Sequence, residues 1–228
     1  MYRSATRLLA SAAVIPVMFV AVAGCSADSG EKAADEPSAS KKTSAAPSPA
    51  PAKYSQLPKA CDALGKGTVK DLVPGTDDAS GSTGKSSDVN ARGTCSWHGL
   101  DGFQYRWLDI SLQRFESNAT LGSAESRAKE HFADQVKAAK NAEGGKAVKT
   151  GAPSGIGDEA ATVRYDLTKD GDGFKNQTVV ARVENVVITL NYNGAGYEKA
   201  DSPKAADLLK DAEKAAKEAA AAVTEANK

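Results

Sequence analysis

The sequence predicts an α+β fold: a single domain in which an antiparallel sheet of about five strands packs with about three helices, held by one disulfide. Three observations carry this. Several short segments alternate apolar and polar residues with period two, most clearly W-L-D-I-S-L at 107–112. Strand-like segments that neighbour one another in sequence are joined by short turns, which favours antiparallel pairing. Three further segments carry an apolar stripe at helical spacing. Roughly 170 residues follow Tyr54, enough for one ordinary core.

Taken in order, 57–75 (LPKACDALGKGTVKDLVPG) reads as a helix carrying Leu57, Cys61 and Leu64, then a short helical turn stopped at Pro74-Gly75. The stretch 76–92 is rich in Gly, Ser and Asp and reads as a loop. A short strand at 93–99 places Cys95 and Trp97 on one face. The strand at 103–116 points Leu108, Ile110 and Leu112 one way and Tyr105, Trp107 and Asp109 the other. Residues 123–142 form a helix with Ala124, Ala128, Phe132, Val136 and Ala139 as its stripe and Glu125–Lys129 as a supporting pair, ended by Gly144-Gly145. Three strands follow, at 161–167, 177–184 and 185–193, joined by the turns at 169–175 and Glu184-Asn185. Ser202 ahead of Pro203 predicts a capped helix running to about Thr224, with Leu208, Ala212, Ala216, Ala219 and Val223 as its narrow apolar face.

Before the domain lies an export signal. Arg3 and Arg7 precede an apolar run from Leu8 to Ala23 that contains Ser11 and Pro16. The run falls short of the roughly 20 residues a spanning helix needs. Val22-Ala23-Gly24-Cys25 resembles a bacterial lipobox, so residues 1–24 are expected to be a lipoprotein signal peptide and Cys25 the lipidated N-terminus. Two acyl chains hold a protein on a bilayer where one does so marginally. Residues 25–54 then read as the lipidated cysteine and a disordered Ser/Ala/Pro linker, because 26–53 contain no aromatic residue and no Leu, Ile or Val. As a flexible coil that tether reaches roughly 30 Å. The globular α+β domain is 55–228.

With Cys25 acylated, Cys61 and Cys95 remain, and an even count in an oxidising compartment predicts a disulfide. Their 33 intervening residues do not suit a metal or redox pair. Loss of Arg3 and Arg7 leaves 27 basic against 29 acidic residues, so no basic field favours nucleic acid or anionic lipid.

Motifs that would carry chemistry fail on context. G-I-G-D-E-A at 155–160 has dinucleotide-fingerprint spacing but precedes a strand rather than a helix, so its glycines read as a tight turn. Asp158 and Glu159 within it are adjacent and expected to point apart on a strand entry. The Asp170–Gly173 stretch starts like a calcium loop, yet Ala181 stands where an EF-hand needs glutamate. His98 and His131 have no second ligand at metal spacing, and no nucleophile elbow occurs. No catalytic residue, cofactor or metal is expected. The Asn118-Ala119-Thr120 sequon carries little weight behind a lipobox.

The lipobox, the tether, C-D-A-L at 61–64, C-S-W at 95–97, W-L-D-I-S-L at 107–112, and G-I-G-D-E-A before paired strands are together similar to actinobacterial lipoproteins of the family called domain of unknown function 3558. The resemblance covers about residues 55–224 and implies an exported, disulfide-bonded lipoprotein without a catalytic residue to carry over. The expected function is therefore non-enzymatic: an extracytoplasmic, membrane-anchored domain that binds an envelope ligand or partner. A carboxylate-dependent envelope hydrolase or transferase using Asp109, Asp158 or Glu159, and a structural accessory subunit of a membrane complex, are the alternatives. Tyr105, Trp107 and Asp109 are the candidate ligand-binding residues. Two arrangements would account for large aromatics on a sheet's second face: cover by a helix such as the alanine-rich C-terminal one, or a concave surface for an apolar or sugar-like ligand.

Overall fold

Alternation sets the sheet. Strand β3 (Gln104–Arg114) carries Leu108, Ile110 and Leu112 fully buried on one face, and it pairs with β2 (Arg92–Asp101) on one side and β7 (Val186–Gly196) on the other. Beyond β7 come β6 (Asp172–Val183), β5 (Glu159–Lys169) and β4 (Lys146–Gly151), while β1 (Ser82–Thr83) edges β2. All seven strands are antiparallel, in the order β1-β2-β3-β7-β6-β5-β4. The computed structural model describes residues 48–228; Cys25, the signal segment and the greater part of the linker lie outside them.

The α+β class and three α-helices are as expected, but among the described residues the strands number seven rather than about five. The two additions are the edges: β1 emerges from the expected loop, and β4 is exposed along its whole length. Asp170-Gly171 forms the two-residue β5–β6 turn with φ of 54° and 93°, the left-handed pair that matches sheet twist.

Each face receives a helix. Helix α3 (Ala205–Glu225) covers the Leu108 face, burying Leu208, Ala212, Ala216, Ala219 and Val223 as predicted, with Ala215 and Ala220 widening the stripe. It starts two residues beyond the expected proline, capped at Lys204 with no side-chain bond; Ser202 instead donates to the Gly173 carbonyl at 3.2 Å. Helix α2 (Ala124–Lys140) lies on the other face, its Ser123 hydroxyl accepting from the Ser126 amide. Its Ala124 and Ala128 pack with Phe115, Val180 and Val187, and Phe132 and Val136 are half-covered there.

The first helix differs from expectation. Ala60–Asp62 is one 3-10 turn, and the α-helix proper is α1 (Lys66–Leu72), the segment read as a short final turn. The Cys61–Cys95 disulfide, Cα–Cα 5.1 Å, therefore ties that 3-10 turn to β2. The chain meets the domain before residue 55. Lys53 pairs with Glu184 at 2.5 Å, and Tyr54 exchanges hydrogen bonds with the Asn185 side chain at 2.7 and 2.9 Å.

Tyr192 supplies a pH test of this core. Its hydroxyl donates to the Leu72 carbonyl at 2.5 Å, and burial pushes its pKa from 10.0 to about 12. A native pKa above the unfolded value means the contribution is intact below pH 10 and is lost as pH rises towards 12. The expected loss is about 2–3 kcal/mol. Urea melts from pH 9 to 12 should show that fall, and Tyr192→Phe should flatten it.

Candidate functional site

Three cross-strand rows lie beside α2 on its face of the sheet, open over Trp107, Asn193 and Asn176 and buried at Val163, Thr178 and Ala195. The outermost runs Leu100, Tyr105, Ala195, Phe174, Leu167 across β2, β3, β7, β6 and β5. The next runs His98, Trp107, Asn193, Asn176, Tyr165, and the third Ser96, Asp109, Asn191, Thr178, Val163. Beyond the third row, α2 takes over at Val180 and Val187. The turn after α2 returns to this side, with Gly144 and Gly145 closing on Leu167 and Tyr165.

The outer row is aromatic. Tyr105 packs with Tyr197 at 5.7 Å and with Phe174 edge-on at 6.3 Å, geometries favoured by the ring quadrupoles. Burial and the neighbouring Tyr197 hold the Tyr105 hydroxyl above its usual pKa. The middle row begins with His98 stacked on Trp107, centroids 5.6 Å apart and planes 17° apart. His98 is exposed and Trp107 half-buried. A pocket of about 280 Å³ opens between these rows, bordered by Trp107, Asn193 and Asn176 on its floor and by Tyr105, Phe174 and Tyr197 along one side.

The third row locks the second. Trp107 Nε1 donates to Asp109 Oδ1 at 3.1 Å, Asn191 Nδ2 donates to Asp109 Oδ2 at 2.9 Å, and Thr178 Oγ1 donates to Asn191 Oδ1 at 2.8 Å. Burial pushes the Asp109 carboxyl above its ordinary pKa, opposed by the bonds from Asn191 and Trp107. Tyr165 is raised by its own burial and then by the Asp109 charge. With both oxygens engaged by donors, Asp109 orients the indole.

The structure thus brings Tyr105, Trp107 and Asp109 to one side of the sheet, and α3 covers the opposite side rather than these residues. It also contradicts the expectation for Asp158 and Glu159. Both converge on Arg182: Asp158 Oδ2 lies 3.2 Å from Nη1 and Glu159 Oε1 accepts from Nε. Asp158 further accepts from the Glu184 amide at 2.6 Å. These carboxylates clamp the β6–β7 turn. His131 leans on Phe115 at 5.2 Å, and burial lowers its pKa. In the G-I-G-D-E-A turn, Gly157 sits at φ 61° with the Arg182 carbonyl 2.4 Å from where a Cβ would be, so glycine is required there. Among the described residues no cluster of three or more His, Cys, Asp or Glu could hold a metal, and no helix is long and apolar enough to cross a membrane.

Asn176, Asn193, Phe174 and Tyr197 were not singled out from sequence. Alternation places Asn191 and Asn193 on one side of their strand, but only the β3–β7–β6 register brings Asn193 and Asn176 beside Trp107.

No family model matches the chain, and no curated protein matches it. Among solved structures, the crystal structure of Ara h 8.0201 aligns over 75% of this chain and 94% of its own at 9% identity, with a TM-score of 0.20, too slight a likeness to speak for fold or function.

Proposed function

We propose that the chain is a lipoprotein held by Cys25 on the extracytoplasmic face of a cell membrane, whose domain binds an envelope ligand without transforming it. The observation that carries the binding role is the open aromatic and amide patch of the sheet, where Trp107 is held in place by Asp109 and borders a pocket. Concave surfaces with aromatic walls and a few convergent polar groups are the usual form of small-ligand sites. The lipobox and tether supply the anchor, and the likeness to the lipoprotein family named above agrees with that placement. Against a hydrolase stands the use of the carboxylates: Asp109 is engaged by Trp107 and Asn191, and Asp158 and Glu159 by Arg182.

The test uses the full chain in its native host. Wild type should fractionate with membranes, and after detergent extraction should give saturation-transfer signals from small components of an envelope extract. Trp107→Ala should stay on the membrane and lose those signals; Cys25→Ala should leave the membrane fraction or stall as precursor. Unchanged signals in Trp107→Ala refute the site, and a membrane-bound, mature Cys25→Ala refutes the anchor.

A further inference from the structure

The geometry points to a neutral carbohydrate as the ligand of the open sheet face, an assignment that rests on the binding role proposed above and specifies its chemistry. The middle row decides it. Asn193 and Asn176 stand side by side on paired strands, both half-buried and both bordering the pocket. Among the described residues no side chain engages either amide; the one contact is Asn176 Nδ2 to the Phe174 carbonyl at 3.5 Å, at the limit of a hydrogen bond. Each amide offers two N–H donors and an oxygen with two lone pairs. Adjacent sugar hydroxyls, which donate and accept at once, answer that pattern.

The flanks suit a ring with two kinds of surface. His98 stacks on the Trp107 indole, and the indole borders the pocket together with Asn193. A pyranose presents a flat C–H surface to such a ring and its hydroxyls at the edge. Because the indole is already tied to Asp109 at 3.1 Å, little ordering remains to oppose binding. From Trp107 to Asn176 the part of the row that borders the pocket crosses two strand spacings, about 10 Å, which suits one or two sugar rings of a short oligosaccharide.

Other chemistries fit less well. An acyl chain laid in this trough would strip water from both amides and return no hydrogen bond. An anion would find a single bordering cation, the exposed Lys169, and the formal charge of the exported chain gives no basic field to draw it in. The strands beneath are paired on both sides, so a peptide has no free backbone edge here to extend.

The test is a titration of the full chain in detergent with cellotriose, maltotriose, mannotriose and tri-N-acetylchitotriose, and separately with palmitate, read by the side-chain amide resonances of Asn176 and Asn193 and the Trp107 indole N–H. At least one trisaccharide should move all three, with a Kd in the range of about 0.1–10 mM. Asn193→Ala and Asn176→Ala should each weaken binding about tenfold while melting as wild type does, and Trp107→Phe should weaken it less than Trp107→Ala. Failure of all four sugars up to about 20 mM overturns the carbohydrate assignment. If palmitate alone moves these resonances, the sheet face remains a binding site and only its ligand class is wrong. If neither sugar nor palmitate does, both the assignment and the site fall.

Discussion

Trp97→Ala is expected to destabilise the domain by about 4 kcal/mol, as deletion of a fully buried indole does. Trp97 is 1% exposed and the largest fully buried side chain among the described residues. It also organises the loop ahead of β2: its Nε1 donates to the Ala79 carbonyl at 3.2 Å, and Gly81, at φ 75°, brings backbone close enough that a Cβ there would lie 2.4 Å from the same nitrogen. Removing the ring leaves a cavity and an orphaned carbonyl together. Thermal unfolding should shift down by about 8–16 °C for a domain of this size. Trp97→Phe should recover most of the packing and lose the hydrogen bond, costing about 1–2 kcal/mol. A loss below about 1 kcal/mol for the alanine variant would mean that the loop does not rest on this indole.

The second large effect belongs to the disulfide. Cys61 and Cys95 are separated by 34 in sequence, and closing a loop of about 35 residues stabilises by about 4 kcal/mol in the chain-entropy model. The double variant Cys61→Ala, Cys95→Ala, or reduction of the wild type, should lower the urea midpoint accordingly and raise the m-value, because the unlinked denatured chain exposes more surface. Cys95 is 1% exposed while Cys61 is half-buried. Cys95→Ala alone should therefore be at least as damaging as Cys61→Ala. Because Cys95 and Trp97 share one face of β2, the disulfide and Trp97 variants should not add independently.

How much could be read in advance depended on whether a segment's own residues record its surroundings. Leu108, Ile110 and Leu112 alternate because one side of β3 is core, and the stripes of α2 and α3 repeat because each covers a face; these were legible. The edge strand β4 was not. Its residues, K-A-V-K-T-G, are all exposed, and its register shifts between Lys146 and Lys149, with Ala147 at φ 51°, so no face is buried and no period appears. The start of α1 is set from afar. Glu218, on α3, accepts from the Gly65 amide at 2.6 Å and from the Thr68 hydroxyl at 2.7 Å, a cap that nothing in 57–75 announces. The candidate site divides likewise. Tyr105, Trp107 and Asp109 share a face by strand geometry alone, whereas the amides of Asn176 and Asn193 join them only through pairing between strands distant in sequence.

Asn227, beyond the last turn of α3, accepts from the amides of Ser55 and Gln56 at 3.0 and 3.1 Å and donates to the Gln56 carbonyl at 3.1 Å. Entry and exit of the domain are thus stitched together near the Glu184-Asn185 turn, about 27 Å along the strands from Asn176 by the rise per residue. Both ends share one pole of the molecule and the open pocket sits towards the other. A reporter protein or purification tag fused after Lys228 would crowd the chain where it enters at Tyr54 and leave the pocket free. A short linker joining Lys228 to Tyr54 would close the domain into a circle, so that new ends could be opened elsewhere with the sheet intact.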